Sequence, residues 1–501
     1  MIFGRQYTFW FCVGSQDLYG AECLEHVAEH ARVMVERINA SGLLPFPLTL
    51  KPTLLTSSMI RATFNEANAD DNCAGVITWM HTFSPAKSWI AGLQEFRKPL
   101  MHLLTQFNRE IPYDSIDMDF MNENQSAHGD REYGHAVTRL GIERKVIAGY
   151  WEDEKVLARV ASWMRTAIGV VESRRIRVLR MADNMRNVAV TEGDKVEALQ
   201  VFGWEVDAYP SSEIAHAVRD VAQGDVTALV DEYYERYTIL LDGRDPAEFR
   251  RHVAVQAQIE IGIERFLKEK NYQAVVTHFD DLEGLQQLPG LAIQRLEEKG
   301  YGFGAEGDWK TAVLVRTVKA MSEGLPGGAS LMEDYTYNLV PGQELILGAH
   351  MLEICPSLTT QKPRAEIHPL GIGDREDPVR LVFSMDPSEA VVVSMADMGN
   401  RFRLTANVVD VVEPLEPLPN LPVAHAIWKP QPSLSVSAEC WMESGAAHHT
   451  VMTNAIGVDI FRMFAQMAHT ELAVIDKSTD VASFKNELRW NKAYFQLAQG
   501  L

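Results

Sequence analysis

The 501 residues are enough for about three domains at roughly 150 residues each, and 46% apolar with 23% charged residues is the composition of a globular chain able to bury a large core. Forty-seven Lys and Arg against 68 Asp and Glu leave a net charge of −21, which repels a phosphate backbone and excludes general nucleic-acid binding. The longest apolar runs are as short as 390–393, too short for a bilayer span and arguing against any membrane partner.

Residues 1–13 carry only Arg5 as a cation and no secretory pattern, and the five cysteines (Cys12, Cys23, Cys73, Cys355, Cys440) form no Cys-x-x-Cys pair. Both features predict a cytoplasmic protein with free thiols.

In chain order, residues 7–13 read as a buried strand that breaks at Gly14-Ser15, and 21–40 as a helix with Leu24, Val27, Ala31 and Val35 on one face. Residues 74–79 and 99–104 are further strands around a helical 85–96. Strands alternating with helices predict a parallel sheet, with ligands beyond the strand ends at 14–19 and 80–84. The pattern restarts with strands at 176–181, 204–209 and 274–277, a helix at 194–201, and a loop at 278–281. Gly324-Leu325-Pro326-Gly327-Gly328 ends the α/β region. Beyond it, 331–340, 344–352, 379–384, 390–396, 401–411 and 435–441 read as antiparallel strands, followed by helices at 458–468 and 481–498. The predicted fold is therefore two Rossmann-like α/β domains, 1–172 and 173–326, and a β-rich, barrel-like domain with terminal helices, 327–501.

Residues 302–307 spell G-x-G-x-x-G, but 291–299 read as a helix where a dinucleotide site needs a strand, and Glu306 would oppose a pyrophosphate. A nicotinamide-dependent dehydrogenase is thus disfavoured. The segment instead places Glu306 in a glycine-flanked loop, with Asp308 as the N-cap of a helix from Trp309.

Leu331, Glu333, Tyr335, Tyr337 and Leu339 share one strand face by period two. A hairpin centred on Pro341-Gly342 sets Glu333 opposite His350, with Cβ atoms about 5 Å apart. A buried ion pair and a shared metal site both fit that pairing. Adjacent His448 and His449 on a strand point to opposite faces, so one of them joins any given site. Two carboxylates and two imidazoles suit Mn²⁺, Co²⁺ or Fe²⁺ with open positions for substrate, whereas a closed zinc site favours cysteine.

At these residues the chain resembles the L-arabinose isomerase family. The likeness runs through FWFCVGSQDLY (9–19), GVITWMHTFSPAK (75–87), NMRNVAVTEGDKVEA (184–198), GFGAEGDWKTAV (302–313), MEDYTY (332–337), GAHMLEICP (348–356), AHAIWKP (424–430) and AAHHTV (446–451). It departs from the family pattern at Asp17, Leu331 and Ala446, where histidine, phenylalanine and glycine are frequent.

The resemblance implies conversion of L-arabinose to L-ribulose, with D-galactose to D-tagatose as a side activity, using one Mn²⁺ per subunit for which Co²⁺ can substitute. It implies Glu306, Glu333, His350 and His449 as metal ligands, with Glu306 and Glu333 also catalytic. Substrate contacts carry over as Gln16, Leu18, Tyr19, Gln125, His128, Met185, Phe279, Met351, Ile372 and His448. It further implies a homohexamer in which neighbouring subunits share each site. The alternatives are an L-fucose-type isomerase, which shares the architecture, and a non-catalytic sugar-binding module.

Overall fold

The computed structural model describes residues 6–372 and 374–498, so Met1–Arg5 of the leader reading lie outside the described residues. The chain forms two compact units, one ending at Val171 and the other starting at Glu172.

In the first unit the strands β1 (Thr8–Gly14), β2 (Leu48–Leu50), β3 (Cys73–Met80), β4 (Leu100–Leu104) and β5 (Lys145–Ala148) form one parallel sheet in the order β2-β1-β3-β4-β5. The apolar runs predicted as strands are these elements, and β1 and β3 are buried almost throughout because helices cover both faces. The order reverses between β1 and β3, so the loops leaving them flank the crevice where such sheets take ligands. Ser15 and Thr82, one from each loop, join hydroxyls at 2.7 Å.

The second unit opens with β6 (Arg177–Met181) and β7 (Glu205–Tyr209), then β8 (Thr238–Ile239), β9 (Ala274–Val276) and β10 (Gly302–Gly304). A second parallel sheet has the order β10-β9-β6-β7. The remaining strands are β11 (Ala329–Asn338), β12 (Leu345–Ala349), β13 (Arg364–Ile367), β14 (Val379–Val382), β15 (Ser388–Asp397), β16 (Phe402–Val412), β17 (His425–Pro430), β18 (His449–Thr453) and β19 (Glu471–Ile475). Strands β8, β13 and β14 make a small separate sheet. Six strands run β15-β18-β11-β12-β17-β16, and β15 pairs again with β16, so the antiparallel sheet closes into a barrel with no free edge. β19 adds alongside β16 in parallel, and the helices Val458–Met467 and Val481–Ala498 follow as predicted.

Two expectations are corrected. Residues 435–441 lie in the helix Leu434–Ser444 and not in a strand: the Ser433 hydroxyl accepts from Val436 N–H, and Gly445 closes the other end at φ 73°. Those two caps favour a helix although Ser435-Val436-Ser437-Ala438 alternates with period two. The hairpin register is also one residue off at Glu333. Near the turn Tyr337 pairs with Ile346 as a Pro341-Gly342 centre requires, but Tyr335 is an extra residue bulged out of the ladder, so Glu333 pairs with Ala349. The bulge also breaks the predicted common face: Leu331 and Glu333 are buried, whereas Tyr335, Tyr337 and Leu339 are exposed.

The helix Trp309–Ser322 is buried along nearly all its length. Its cations end on carbonyls of other segments: Lys310 on Val190 and Glu192, Arg316 on Gly300, and Lys319 on Ala329. The glycines of 302–307 explain its closeness to β10. A Cβ on Gly302 would stand 2.0 Å from the Ala312 carbonyl oxygen, and one on Gly304 2.1 Å from that of Asp308. These glycines let strand and helix touch, with no phosphate needed to account for them.

Candidate active site

Glu306 leaves β10 in a left-handed turn at φ 56°, followed by Gly307 at φ 88°. A non-glycine residue in this region carries about 1–3 kcal/mol of strain, which persists where neighbours hold it. Here the Glu306 carbonyl accepts from Met185 N–H at 2.9 Å, and a Cβ on Gly307 would meet Asn184 Cα at 2.4 Å. The tight turn brings the Glu306 carboxylate back toward the barrel.

Glu333 sits mid-barrel on β11, paired on one side with Ala349 and on the other with His449 of β18. His350 lies one residue past the end of β12, yet its Nε2 is 3.4 Å from Glu333 Oε1. His449 Nε2 is 3.0 Å from the same oxygen and 3.6 Å from Glu306 Oε2. Four side chains from β10's turn, β11, β12's end and β18 thus form one line of contacts, His350 to Glu333 to His449 to Glu306.

Each imidazole is gripped from behind. His449 Nδ1 faces Asp308 Oδ2 at 3.1 Å, and His350 Nδ1 bonds a Glu353 carboxylate oxygen. A carboxylate on one ring nitrogen fixes the tautomer and aims the other nitrogen, the arrangement found behind metal-bound histidines. His449 Nε2 is buried without a hydrogen-bond partner, although two carboxylates surround it. An unsatisfied buried nitrogen between two acids fits a divalent cation, so the residues present match the ion implied by their types.

The electrostatics agree. Glu306 is held below the usual carboxylate range by the His449 imidazole beside it. Burial pushes Glu333 the other way, but His350 and His449 bring it down. Burial also opposes the charged form of His350, yet Glu353 and Glu333 lift it to about 9. His449 is likewise raised, its burial outweighed by Asp308, Glu306 and Glu333. The carboxylates that raise the basicity of both imidazoles would equally favour a cation bound between them.

His448 precedes β18, so strand alternation does not constrain it. Its ring lies 4.5 Å from that of His449, and a ring nitrogen comes within 4.8 Å of ligand atoms of both Glu306 and His449. Both adjacent histidines therefore reach the site, contrary to the alternation argument. Phe279, Met351 and Ile372 pack against one apolar cluster that includes Leu331, Ala305 and Leu352, which forms a wall beside the ligand set.

The other named residues lie in the first unit. Gln16, the largely exposed Leu18, and Tyr19 follow β1, while Gln125 and His128 begin the helix Ser126–Arg139. Both groups border the loop after β3. The Phe83 ring stands 5.8 Å from that of His128, and Ser126 Oγ donates to the His81 carbonyl. Sequence reasoning assigned no role to Glu353 or Phe83 and saw Asp308 only as a cap. A carboxylate three residues after His350 was the one available signal.

Domain models described as the N-terminal, central and C-terminal domains of L-arabinose isomerase match residues 4–175, 177–324 and 328–471. The chain is an isomerase. Its relatives include the L-arabinose isomerases of Geobacillus kaustophilus (strain HTA426), 54% identical over 98% of this chain and 99% of the relative, and of Anoxybacillus flavithermus (strain DSM 21510 / WK1), 54% identical over the whole of both. That of Halalkalibacterium halodurans is 50% identical over 99% of this chain and all of the relative. The chain belongs to the L-arabinose isomerase family. No helix among the described residues is long and apolar enough to cross a membrane.

Proposed function

We propose that this protein interconverts L-arabinose and L-ribulose in the cytoplasm, with D-galactose to D-tagatose as a slower side activity. The observation that carries the reading is the line of contacts joining His350, Glu333, His449 and Glu306, each imidazole backed by a carboxylate. These four residues are the ones that would hold Mn²⁺, or Co²⁺ in its place. When bound, such an ion supplies Lewis-acid stabilisation to the negative charge that develops on neighbouring sugar oxygens.

The chain's own groups do the rest. Isomerisation shifts a hydrogen between C2 and C1 and a proton between the two oxygens. Glu306 and Glu333, both ionised near neutrality, take the proton from one carbon and return it to the other through an enediolate. His448, exposed and with its basicity lowered chiefly by desolvation, offers a ring nitrogen to a sugar hydroxyl. Phe279, Met351 and Ile372 supply the apolar wall, and Met185 adjoins Glu306, whose carbonyl accepts from its N–H. A hydride shift is the rival route. Solvent deuterium entering the ketose in D₂O supports the enediolate, and its complete absence supports the hydride.

Gln16, Leu18, Tyr19, Gln125 and His128 complete the reading as contacts that one subunit lends to its neighbour in a homohexamer. A sugar needs hydrogen-bond partners from many directions, which a shared site supplies. The deciding experiment assays a panel of aldoses for ketose with and without Mn²⁺. L-arabinose should lead. L-fucose leading would favour the fucose-type reading, and no conversion of any aldose would leave a sugar-binding module.

A further inference from the structure

The first unit holds a second group of metal-ligating side chains, separate in sequence from the residues just described. The helix Gly20–Ala40 carries His26 and His30 on one face, four residues apart. His81 follows the end of β3, and Glu123 is the last residue of the helix Met118–Glu123. These three segments bring their side chains together. His30 Nδ1 is 2.7 Å from His81 Nε2 and 3.6 Å from Glu123 Oε1. The other oxygen, Glu123 Oε2, is 2.9 Å from His26 Nδ1. Single ligand atoms of His30, His81 and Glu123 all lie within 4.8 Å of one another.

We infer that His30, His81 and Glu123, with His26 at the outer oxygen of the carboxylate, form a binding site for one zinc-class divalent cation. Four-coordinate Zn²⁺ with bonds of about 2.0–2.1 Å keeps neighbouring ligand atoms roughly 3.3 Å apart, and the observed 2.7 and 3.6 Å bracket that spacing. Two imidazole nitrogens and one carboxylate oxygen, with the fourth position open to His26 or water, favour Zn²⁺, Co²⁺ or Ni²⁺ over Mn²⁺, which prefers oxygen.

The surroundings are those of a built site. The His30 ring stacks on Phe107 with centroids 3.8 Å apart, His81 stacks on Trp79 at 4.5 Å, and Phe107 stacks in turn on Trp151. These rings fix both inner imidazoles and keep water from that side. His81 is fully buried while His26 is 53% exposed, so the group runs from core to surface and an ion has a route in. Burial lowers the basicity of both inner imidazoles, so near neutral pH protons offer an ion little competition there.

An ion here would tie the helix after β1, the loop after β3 and the segment just before Gln125 to one another. Those segments carry or adjoin Gln16, Leu18, Tyr19, Gln125 and His128, so occupancy would order the surfaces on which they sit.

The test uses the full-length protein, stripped with chelator, reloaded with Zn²⁺ or Co²⁺, desalted and counted by mass spectrometry. The variant His26→Ala/Glu123→Gln alters two positions near the surface and leaves the stacked core in place. It should bind one ion per chain fewer than wild type and lose the visible d–d absorption of four-coordinate Co²⁺. Glu306→Gln/Glu333→Gln, assayed in parallel, should keep that absorption, which separates this site from the proposed catalytic one. An unchanged ion count and Co²⁺ spectrum in both His26→Ala/Glu123→Gln and His30→Ala would overturn the inference and leave the two inner imidazoles as a hydrogen-bonded pair.

Discussion

Asp308 Oδ2 lies 3.1 Å from His449 Nδ1, and the same carboxylate caps the helix Trp309–Ser322 through Lys310 and Thr311 N–H and pairs with the buried Lys310 ammonium. The start of that helix and the aim of the imidazole are thus set by one side chain.

Replacing Glu333 or Glu306 by Gln keeps the side chain's size and removes the charge that draws a cation and accepts a proton. Turnover should fall by at least a hundredfold while circular dichroism stays unchanged. A Glu333→Gln enzyme with a tenth of the wild-type rate would remove Glu333 from catalysis.

Glu353 touches no substrate atom in this reading, so its substitution isolates the support behind His350. Glu353→Gln leaves an oxygen to accept from the ring but removes the charge. Mn²⁺ affinity should weaken about 10–100-fold, with much of the rate recovered at saturating Mn²⁺. A rate that stays low at any Mn²⁺ concentration would assign Glu353 a more direct part.

The pH dependence follows from His350. Its folded value of about 9 lies above the reference 6.5, so the proton it binds stabilises the metal-free fold below pH 6.5, and that contribution is lost as pH rises through about 9. A divalent ion must displace this proton and the one on His449, whose basicity is also raised, so Mn²⁺ affinity should climb as pH rises toward about 9. Glu306 and Glu333, held low, stay ionised throughout and do not shape the window. Raising Mn²⁺ should therefore move the acidic limb of activity downward, as rate profiles at several Mn²⁺ concentrations would show. A limb indifferent to Mn²⁺ would point to another group.

Gly304→Ala tests the packing account of the glycine pattern. The added methyl meets the Asp308 carbonyl, and overpacking of this kind costs about 1–3 kcal/mol. The midpoint of thermal unfolding should drop by several degrees. NADH should leave the intrinsic fluorescence of the wild-type protein unchanged, whereas saturable quenching would revive a nucleotide site.

Sharing of sites between subunits is tested by complementation. Gln16→Ala/His128→Ala and Glu306→Gln are each expected to be inactive. Dissociating, mixing and reassembling them should restore part of the activity, because some interfaces receive both intact halves. Mixed oligomers confirmed by mass that stay inactive would mean that each site is built from one chain.

The α/β style of the first 300 residues was legible because buried parallel strands read as short apolar runs between helical periods, as at β1, β3 and β6. The Glu333–His350 meeting was legible for a partly mistaken reason. The turn centre was right, the bulge at Tyr335 shifted the partner to Ala349, and the reach of the imidazole from the next position made up the difference. What stayed hidden is non-local. Nothing near Glu333 announces that β18 will set His449 beside it, and β19, which pairs in parallel with β16, carries no signal of its own partner. The helix Leu434–Ser444 was misread because its period-two surface was weighed above the capping Ser433 and Gly445.

The buried cations of the helix Trp309–Ser322 bear on how the second unit assembles. Lys310, Arg316 and Lys319 each find their oxygen on a segment outside the helix, at 190–192, Gly300 and Ala329. Lys310 also keeps the Asp308 carboxylate of its own cap, and Lys319 faces the buried Glu297, so each of these two charges is held by an acid as well as by a carbonyl. The helix is therefore fastened at once to the 190–192 segment, to Gly300 just before β10 and to barrel strand β11. Its amides should exchange with solvent only in the rarest, unit-wide openings, and sheet, helix and barrel should melt together as one cooperative block.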